Sequence, residues 1–187
     1  MDPRLAEIDE LYRSIKNDYT NLPKELTHQM TDAELEEYSR KWIAANDIVR
    51  SGLDKFRELA HKLTPDKIIE GYQQGCSLLR ANLSGHMYMN FDERYIPTLI
   101  QGIRDDDEGS YLFLGVLSTH LGEEFTPVVL NALESKHART LDTALAYVEK
   151  FRMKEASPIV RTLSKSSNIQ LAQQAAQVLE SLSNGVP

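Results

Sequence analysis

Cysteine is almost missing from this chain. Cys76 is the single one in 187 residues, so no disulfide closes within it. No histidine or lysine lies within a helical turn of Cys76 to draw off its proton, and the thiol is expected to pack as a small apolar side chain rather than to attack a substrate. Long apolar runs are missing too, since nothing approaches the roughly 18 residues that a membrane helix needs. The opening MDPRLAEIDELYR has no basic lead followed by an apolar core, so the sequence predicts a cytoplasmic protein without a membrane segment. Positive charge is scarce, with 21 Lys and Arg against 28 Asp and Glu for a net of −7. That balance repels a phosphate backbone and argues against direct nucleic-acid binding.

Signatures of chemistry are equally sparse. No phosphate-binding G-x-x-x-x-G-K-[ST], no G-x-S-x-G and no G-x-G-x-x-G occurs. The five histidines, His28, His61, His86, His120 and His137, include no two at three- or four-residue spacing, so no metal site is expected. Adjacent carboxylates such as Glu36 and Glu37, or Glu123 and Glu124, point about 100° apart on a helix and do not converge as an acid/base pair. The sequence therefore predicts a protein that is not an enzyme, with no catalytic residue, metal or cofactor. With 41% apolar and 26% charged residues it has the composition of a folded chain.

What the sequence does have is helical periodicity. Asp2 and Pro3 form a cap and first-turn proline, followed by Leu5, Ile8, Leu11 or Tyr12, Ile15 and Tyr19, with Leu22 and Pro23 as a stop. Thr31 to Glu34 reads as a capping box. It opens a heptad with Leu35, Trp42, Val49, Phe56 and Leu63 in one column and Tyr38, Ala45, Gly52 and Leu59 in the other. A long helix over 32–63, weakened at Ser51 and Gly52, is expected to lie on the protein's own core, with a self-associating coiled coil as the alternative. Thr64, Pro65 and Asp66 start a further helix carrying Ile68, Ile69, Tyr72, Cys76, Leu79 and Leu83, stopped by Ser84 and Gly85. No stretch alternates with period two, so the predicted fold class is all-α.

The second half repeats. Pro97, Pro127 and Pro158 each open a helix, at spacings of 30 and 31 residues. Counted from each proline, position +14 holds Tyr111, Leu141 and Ala172, and position +17 holds Leu114, Ala144 and Ala175. Position +18 holds Gly115, Leu145 and Ala176, and position +24 holds Leu121, Phe151 and Leu182. These intervals mark one face of a second helix, with small residues at its centre where stacked helices approach closely. Residues 92–184 thus resemble HEAT-like repeats, although the valine-arginine pair usual at the start of the second helix is missing. The resemblance implies a short α-solenoid of about three helix hairpins over 92–187, with a helical N-terminal region, 1–91, packed on it in one continuous domain. It also implies a platform that works by holding partners. HEAT-like enzymes that hydroxylate a lysine derivative around iron carry His-Glu pairs, absent here, and HEAT-like DNA glycosylases need a basic groove.

Negative charge is concentrated in the first repeat. Residues 92–124 hold eight acids against Arg94 and Arg104, a net of −6, while 125–187 hold five acids and seven bases. IRDDDEGSY, residues 103–111, puts Asp105, Asp106, Asp107 and Glu108 in succession, and Glu123 and Glu124 follow at the next turn. Helix-dipole preference accounts for acids at helix starts, less readily for four in a row. GHMYMNF, residues 85–91, is unusually apolar for a connection and reads as packing, with an exposed anchor as the alternative.

In size, acidity, missing leader and missing catalytic motif, the chain resembles immunity proteins of bacterial toxin systems, including contact-dependent growth inhibition. That resemblance implies a protein partner, a basic and often nuclease toxin domain, whose active site the chain occludes without itself touching nucleic acid or membrane. Asp105, Asp106, Asp107, Glu108, Glu123 and Glu124 would imitate phosphate charge and Tyr111 would dock beside them. A monomer or weak dimer is expected. A general scaffold or adaptor, with the acidic run only a soluble turn, is the competing reading.

Overall fold

The structure, a computed structural model, describes residues 1–19, 31–107 and 109–184, with 16–19 as backbone only. The expected stop at Leu22 and Pro23, His28 and Glu108 lie outside the described residues, as does the side chain of Tyr19. Among the described residues there are ten α-helices, three short 3-10 turns and no strand, so the fold is all-α. None of these helices is long and apolar enough to cross a membrane. The chain divides into two compact units, Met1–Met87 and Tyr88–Pro187.

In the first unit, α1 (Pro3–Tyr19) begins as its sequence dictates. Asp2 Oδ1 accepts the Arg4 backbone N–H at 3.0 Å, and Pro3 occupies the first turn, where a missing N–H costs nothing. Leu5, Ile8, Tyr12 and Ile15 form its buried stripe. α2 (Asp32–Ala60) starts from a complete capping box: the Glu34 N–H donates to Thr31 Oγ1 at 3.4 Å and the Thr31 N–H donates to Glu34 Oε2 at 2.8 Å. The two helices run antiparallel, because moving up α1 from Glu7 to Tyr12 moves down α2 from Lys55, paired with Glu7 at 2.6 Å, to Gly52, packed on the Tyr12 ring.

α1 has 17 residues and α2 has 29, so the N-terminal turns of α2 reach beyond the end of α1. The heptad splits accordingly. Ala45, Gly52, Phe56 and Leu59 are buried, whereas Leu35, Trp42 and Ile43 are 36%, 48% and 54% exposed. Core packing of the whole helix is thus corrected to its C-terminal half. The helix runs unbroken through Gly52, where the missing side chain serves close approach to Tyr12.

The single helix expected over Ile68 to Leu83 is two, α3 (Pro65–Gln74) and α4 (Ser77–Met89), and Ser84 and Gly85 lie inside α4 instead of ending it. Tertiary contacts cause the break. Gly75 turns to extended backbone (φ −74°, ψ 158°), and a Cβ there would sit 2.7 Å from the Gly71 carbonyl oxygen and 2.9 Å from Leu79 Cδ2. The Cys76 N–H at the break donates to Asp9 Oδ1 at 2.6 Å, and the buried Asp9 also accepts from Arg13 Nε at 2.6 Å. Burial opposes the Asp9 charge, but the Cys76 N–H and the Arg13 guanidinium outweigh it and leave the carboxyl below its ordinary value. Cys76 itself is half-buried, and burial together with Asp9 pushes its thiol up, so it stays protonated at neutral pH.

A depressed carboxyl contributes stability that is present above the unfolded-chain Asp value, about 3.9, and is lost as pH falls through the lower folded value. Asp9→Asn, which keeps the shape and removes the charge, is expected to cost about 2 kcal/mol at pH 7 and to flatten the acid limb of the stability profile. Urea midpoints from pH 2 to 7 measure both, and an acid limb as steep as the parent's would refute the assignment.

α4 carries its last residues, Tyr88 and Met89, into the second unit. There α5 (Ile96–Arg104) pairs with α6 (Ser110–Leu117), α7 (Phe125–Ala132) with α8 (Ala138–Lys150), and α9 (Ser157–Leu163) with α10 (Ile169–Asn184). α5 packs on α7, α6 on α8 and α8 on α10, so the second helices of the pairs form one row. Each pair is entered through a 3-10 turn, Glu93–Tyr95, Gly122–Glu124 or Lys154–Ala156, and Pro97, Pro127 and Pro158 follow in the first turn of the helix.

The period reaches positions that the sequence reading passed over. Two residues before each proline, Tyr95, Phe125 and Ala156 are buried, and two residues after, Leu99, Val129 and Val160 are fully buried. Of the small central residues, Ala144 and Ala175 are fully buried, Gly115 is half-buried and Ala176 is exposed. The stripe does not extend to Phe151, which caps the C-terminus of α8 beyond its packed turns. GHMYMNF is also corrected: residues 85–89 are the last turns of α4, with Met87 buried and Tyr88 and Met89 exposed.

Candidate functional site

The residues singled out for partner binding lie at opposite ends of the helix pairs. At one end is the acidic turn between α5 and α6. α5 closes in a Schellman arrangement, with the Asp107 N–H donating to the Gly102 carbonyl at 2.9 Å and the Asp106 N–H to the Ile103 carbonyl at 3.1 Å. This places Asp106 in the left-handed region, φ 55°. Its carboxylate then reaches the next turn of the row. Ser135 Oγ donates to Asp106 Oδ1, the Lys136 N–H donates to Oδ2 at 3.0 Å, and His137 Nε2 lies 2.9 Å from the Asp106 carbonyl oxygen. Burial opposes the Asp106 charge, yet the Ser135 hydroxyl, the Lys136 N–H and the positive field of His137 and Lys136 hold the carboxyl below its usual value.

Asp106 thus departs from the reading as a partner contact, because both carboxylate oxygens are engaged inside the fold. Its neighbours differ. Asp105 is exposed and accepts from Gln101 Nε2 at 2.8 Å, Asp107 is half-buried, and Glu108 lies outside the described residues. Tyr111 is half-buried with the Arg139 guanidinium 5.6 Å from its ring centre. Ser135, Asp106 and His137 meet without the geometry of a nucleophile. The serine hydroxyl donates to the carboxylate and accepts the His137 backbone N–H at 3.0 Å, while the imidazole faces a backbone carbonyl. No sequence motif announces this group, but its 29- to 31-residue separations equal the repeat period.

At the other end are Glu123 and Glu124, exposed in the 3-10 turn that leads into α7. The next residue, Phe125, is buried edge-on against Tyr147 (5.2 Å between centroids) and Phe151 (5.9 Å), which stack at 5.8 Å. Lys150 Nζ stands 5.6 Å and 5.2 Å from the Tyr147 and Phe151 ring centres. Ser118 Oγ donates to the Tyr147 hydroxyl at 3.2 Å. One turn before Ser118, the missing side chain of Gly115 admits the Tyr88 ring, whose Cε2 would lie 3.4 Å from a Cβ there. Phe91 stacks on His120 at 3.8 Å.

Tyr88 thus lies on Gly115 of α6, Ser118 one turn on reaches Tyr147, and Tyr147 and Phe151 stack against Phe125, the residue that follows Glu123 and Glu124 in the chain. Tyr88, Met89 and Phe151 are 45%, 75% and 46% exposed. Large rings held by neighbours yet open on one side suit contact with another protein. GHMYMNF is visible in the sequence and Phe151 falls there on the +24 stripe position, whereas Tyr147 goes unmarked. The four-residue step from Tyr147 to Phe151, at +20 and +24 of the second repeat with Lys150 between them, is the signal that could have paired them. Among the described residues, no three of His, Cys, Asp and Glu stand close enough to share a metal ion. No family model, curated protein or solved structure matches the chain.

Proposed function

We propose that the protein works by binding another protein through the ring-lined row of its second unit, as a HEAT-like stack, and that the partner is a basic toxin domain which it neutralises in the cytoplasm. The observation that carries this reading is the exposure of the Tyr88 and Phe151 rings, the latter held against Phe125 directly after the exposed Glu123 and Glu124. Aromatic anchors supply contact area at low entropic cost, while the carboxylates steer a basic partner and set its register. The concentration of acids in residues 92–124 supports the same sign of partner. Occlusion of the toxin's active site by this surface would make the chain an immunity protein.

The test is whether a neighbouring gene encodes a protein with a basic, toxic C-terminal domain and whether co-expression with this chain abolishes that toxicity, followed by binding kinetics on the purified pair. Phe151→Ala and Tyr88→Ala are each expected to weaken affinity about tenfold by faster dissociation. The double variant Glu123→Lys with Glu124→Lys is expected to slow association about tenfold at low salt and to reduce its salt dependence. Asp105→Lys probes the opposite end. Asp106 is unsuitable for charge reversal because its loss disturbs the fold. Unchanged kinetics in the ring and glutamate variants would remove this surface from the mechanism.

A further inference from the structure

The overhanging turns of α2 hold a second, separate surface. Leu35, Trp42 and Ile43 are exposed there, and Leu35, Glu36, Ser39, Arg40 and Ile43 line a shallow groove. Leu35 and Trp42 are seven residues apart and stand almost in line along the helix, with Ser39 between them on the same face. The charges around this ridge fall in blocks: Asp32, Glu34, Glu36 and Glu37 come first, then Arg40 and Lys41. A helix with acids followed by bases matches itself when turned end for end.

We propose that a second copy of this chain docks here, the two α2 helices packing antiparallel about a twofold axis near Tyr38 and Ser39. In that register Leu35 faces Trp42 of the second copy, Glu36 faces Arg40 and Glu34 faces Lys41, and the axis repeats each pair. Lys41 pairs with Glu37 of its own helix at 2.8 Å, so Glu34 of the other copy completes a three-charge group. A parallel, in-register pair would instead set Glu34 against Glu34 and Lys41 against Lys41, and like charges in contact oppose association. Trp42 provides the large amphipathic anchor that such contacts favour.

Sedimentation equilibrium of the full chain from micromolar to millimolar concentration should show mass rising toward a dimer. Trp42→Glu should stay monomeric while its helical circular dichroism remains that of the parent, since half of the residue is exposed. Glu36→Lys should weaken dimerisation about tenfold, through two like-charge contacts per dimer, and adding Arg40→Glu should restore it. In a Cys76→Ser background, mild oxidation should cross-link Ser39→Cys, which lies near the axis, but not Leu35→Cys, whose copies are held apart. A monomer at every concentration, a dimer that survives Trp42→Glu, or efficient cross-linking through Leu35→Cys would each overturn the proposal.

Discussion

Replacing Asp106 with alanine is expected to cost about 3 kcal/mol of unfolding free energy, the sum of a left-handed backbone that alanine resists and a half-buried carboxylate that accepts two hydrogen bonds. The two parts separate by substitution. Asp106→Gly accepts φ 55° without strain and loses only the Ser135 and Lys136 contacts, so about 2 kcal/mol is expected. Asp106→Asn keeps the local geometry and the neutral part of the bonding, for about 1 kcal/mol. Urea denaturation at pH 7 reads the order alanine, glycine, asparagine from worst to best. The carboxyl is depressed in the folded state, so its contribution is present above about pH 4 and is lost on acidification, and the parent should converge on Asp106→Asn at low pH. Equal effects for alanine and glycine would show that the left-handed backbone contributes nothing.

The second large effect concerns Gly52. A Cβ at this position would lie 2.3 Å from Tyr12 Cε1 and 2.7 Å from Cζ, inside a rigid ring whose hydroxyl accepts from Asn82. Gly52→Leu is expected to destabilise by about 3 kcal/mol through overpacking. Gly52→Ala should also destabilise, although alanine ordinarily favours a helix interior. Gly85 supplies the contrast. It lies within α4 and a Cβ there meets nothing within 4 Å, so Gly85→Ala is expected to stabilise by about 0.5 kcal/mol. Thermal melts of the two alanine variants should move in opposite directions. A shared upward shift would mean that α1 and α2 do not pack as closely as described.

Asp106 and Gly52 also mark the boundary of what the sequence alone shows. Local rules carried the helix starts. Asp2 with Pro3, Thr31 with Glu34, and the three repeat prolines act on the first turn that follows them, so their spacing suffices. Gly52 was read as a weakness because propensity is a local quantity, whereas its purpose is the Tyr12 ring forty residues earlier. Gly75 escaped notice for the same reason, since Gly71, Leu79 and Asp9 impose the break together. The acidic run was read by its charge alone. Its second member belongs to a helix terminus and to a turn one repeat away, and only the period hinted at that connection. The rings of Tyr147 and Phe151 fell on apolar positions, and sequence cannot say which of these lie past the packed end of a helix.

The row of helix pairs is not uniformly fastened. Asp106 ties the first connection to the second, but the matching position one period later is Lys136, which has no carboxylate to offer. Over the third pair, α9 buries only Val160 and α10 only Ala175 and Val178. Neighbouring units in such an array share stability only with those they touch, so the least-anchored end governs where opening begins. Opening is therefore expected to begin at the third pair and to be resisted first by the buried face of α8 and its ring cluster, and then by the Asp106 clasp between the first two connections.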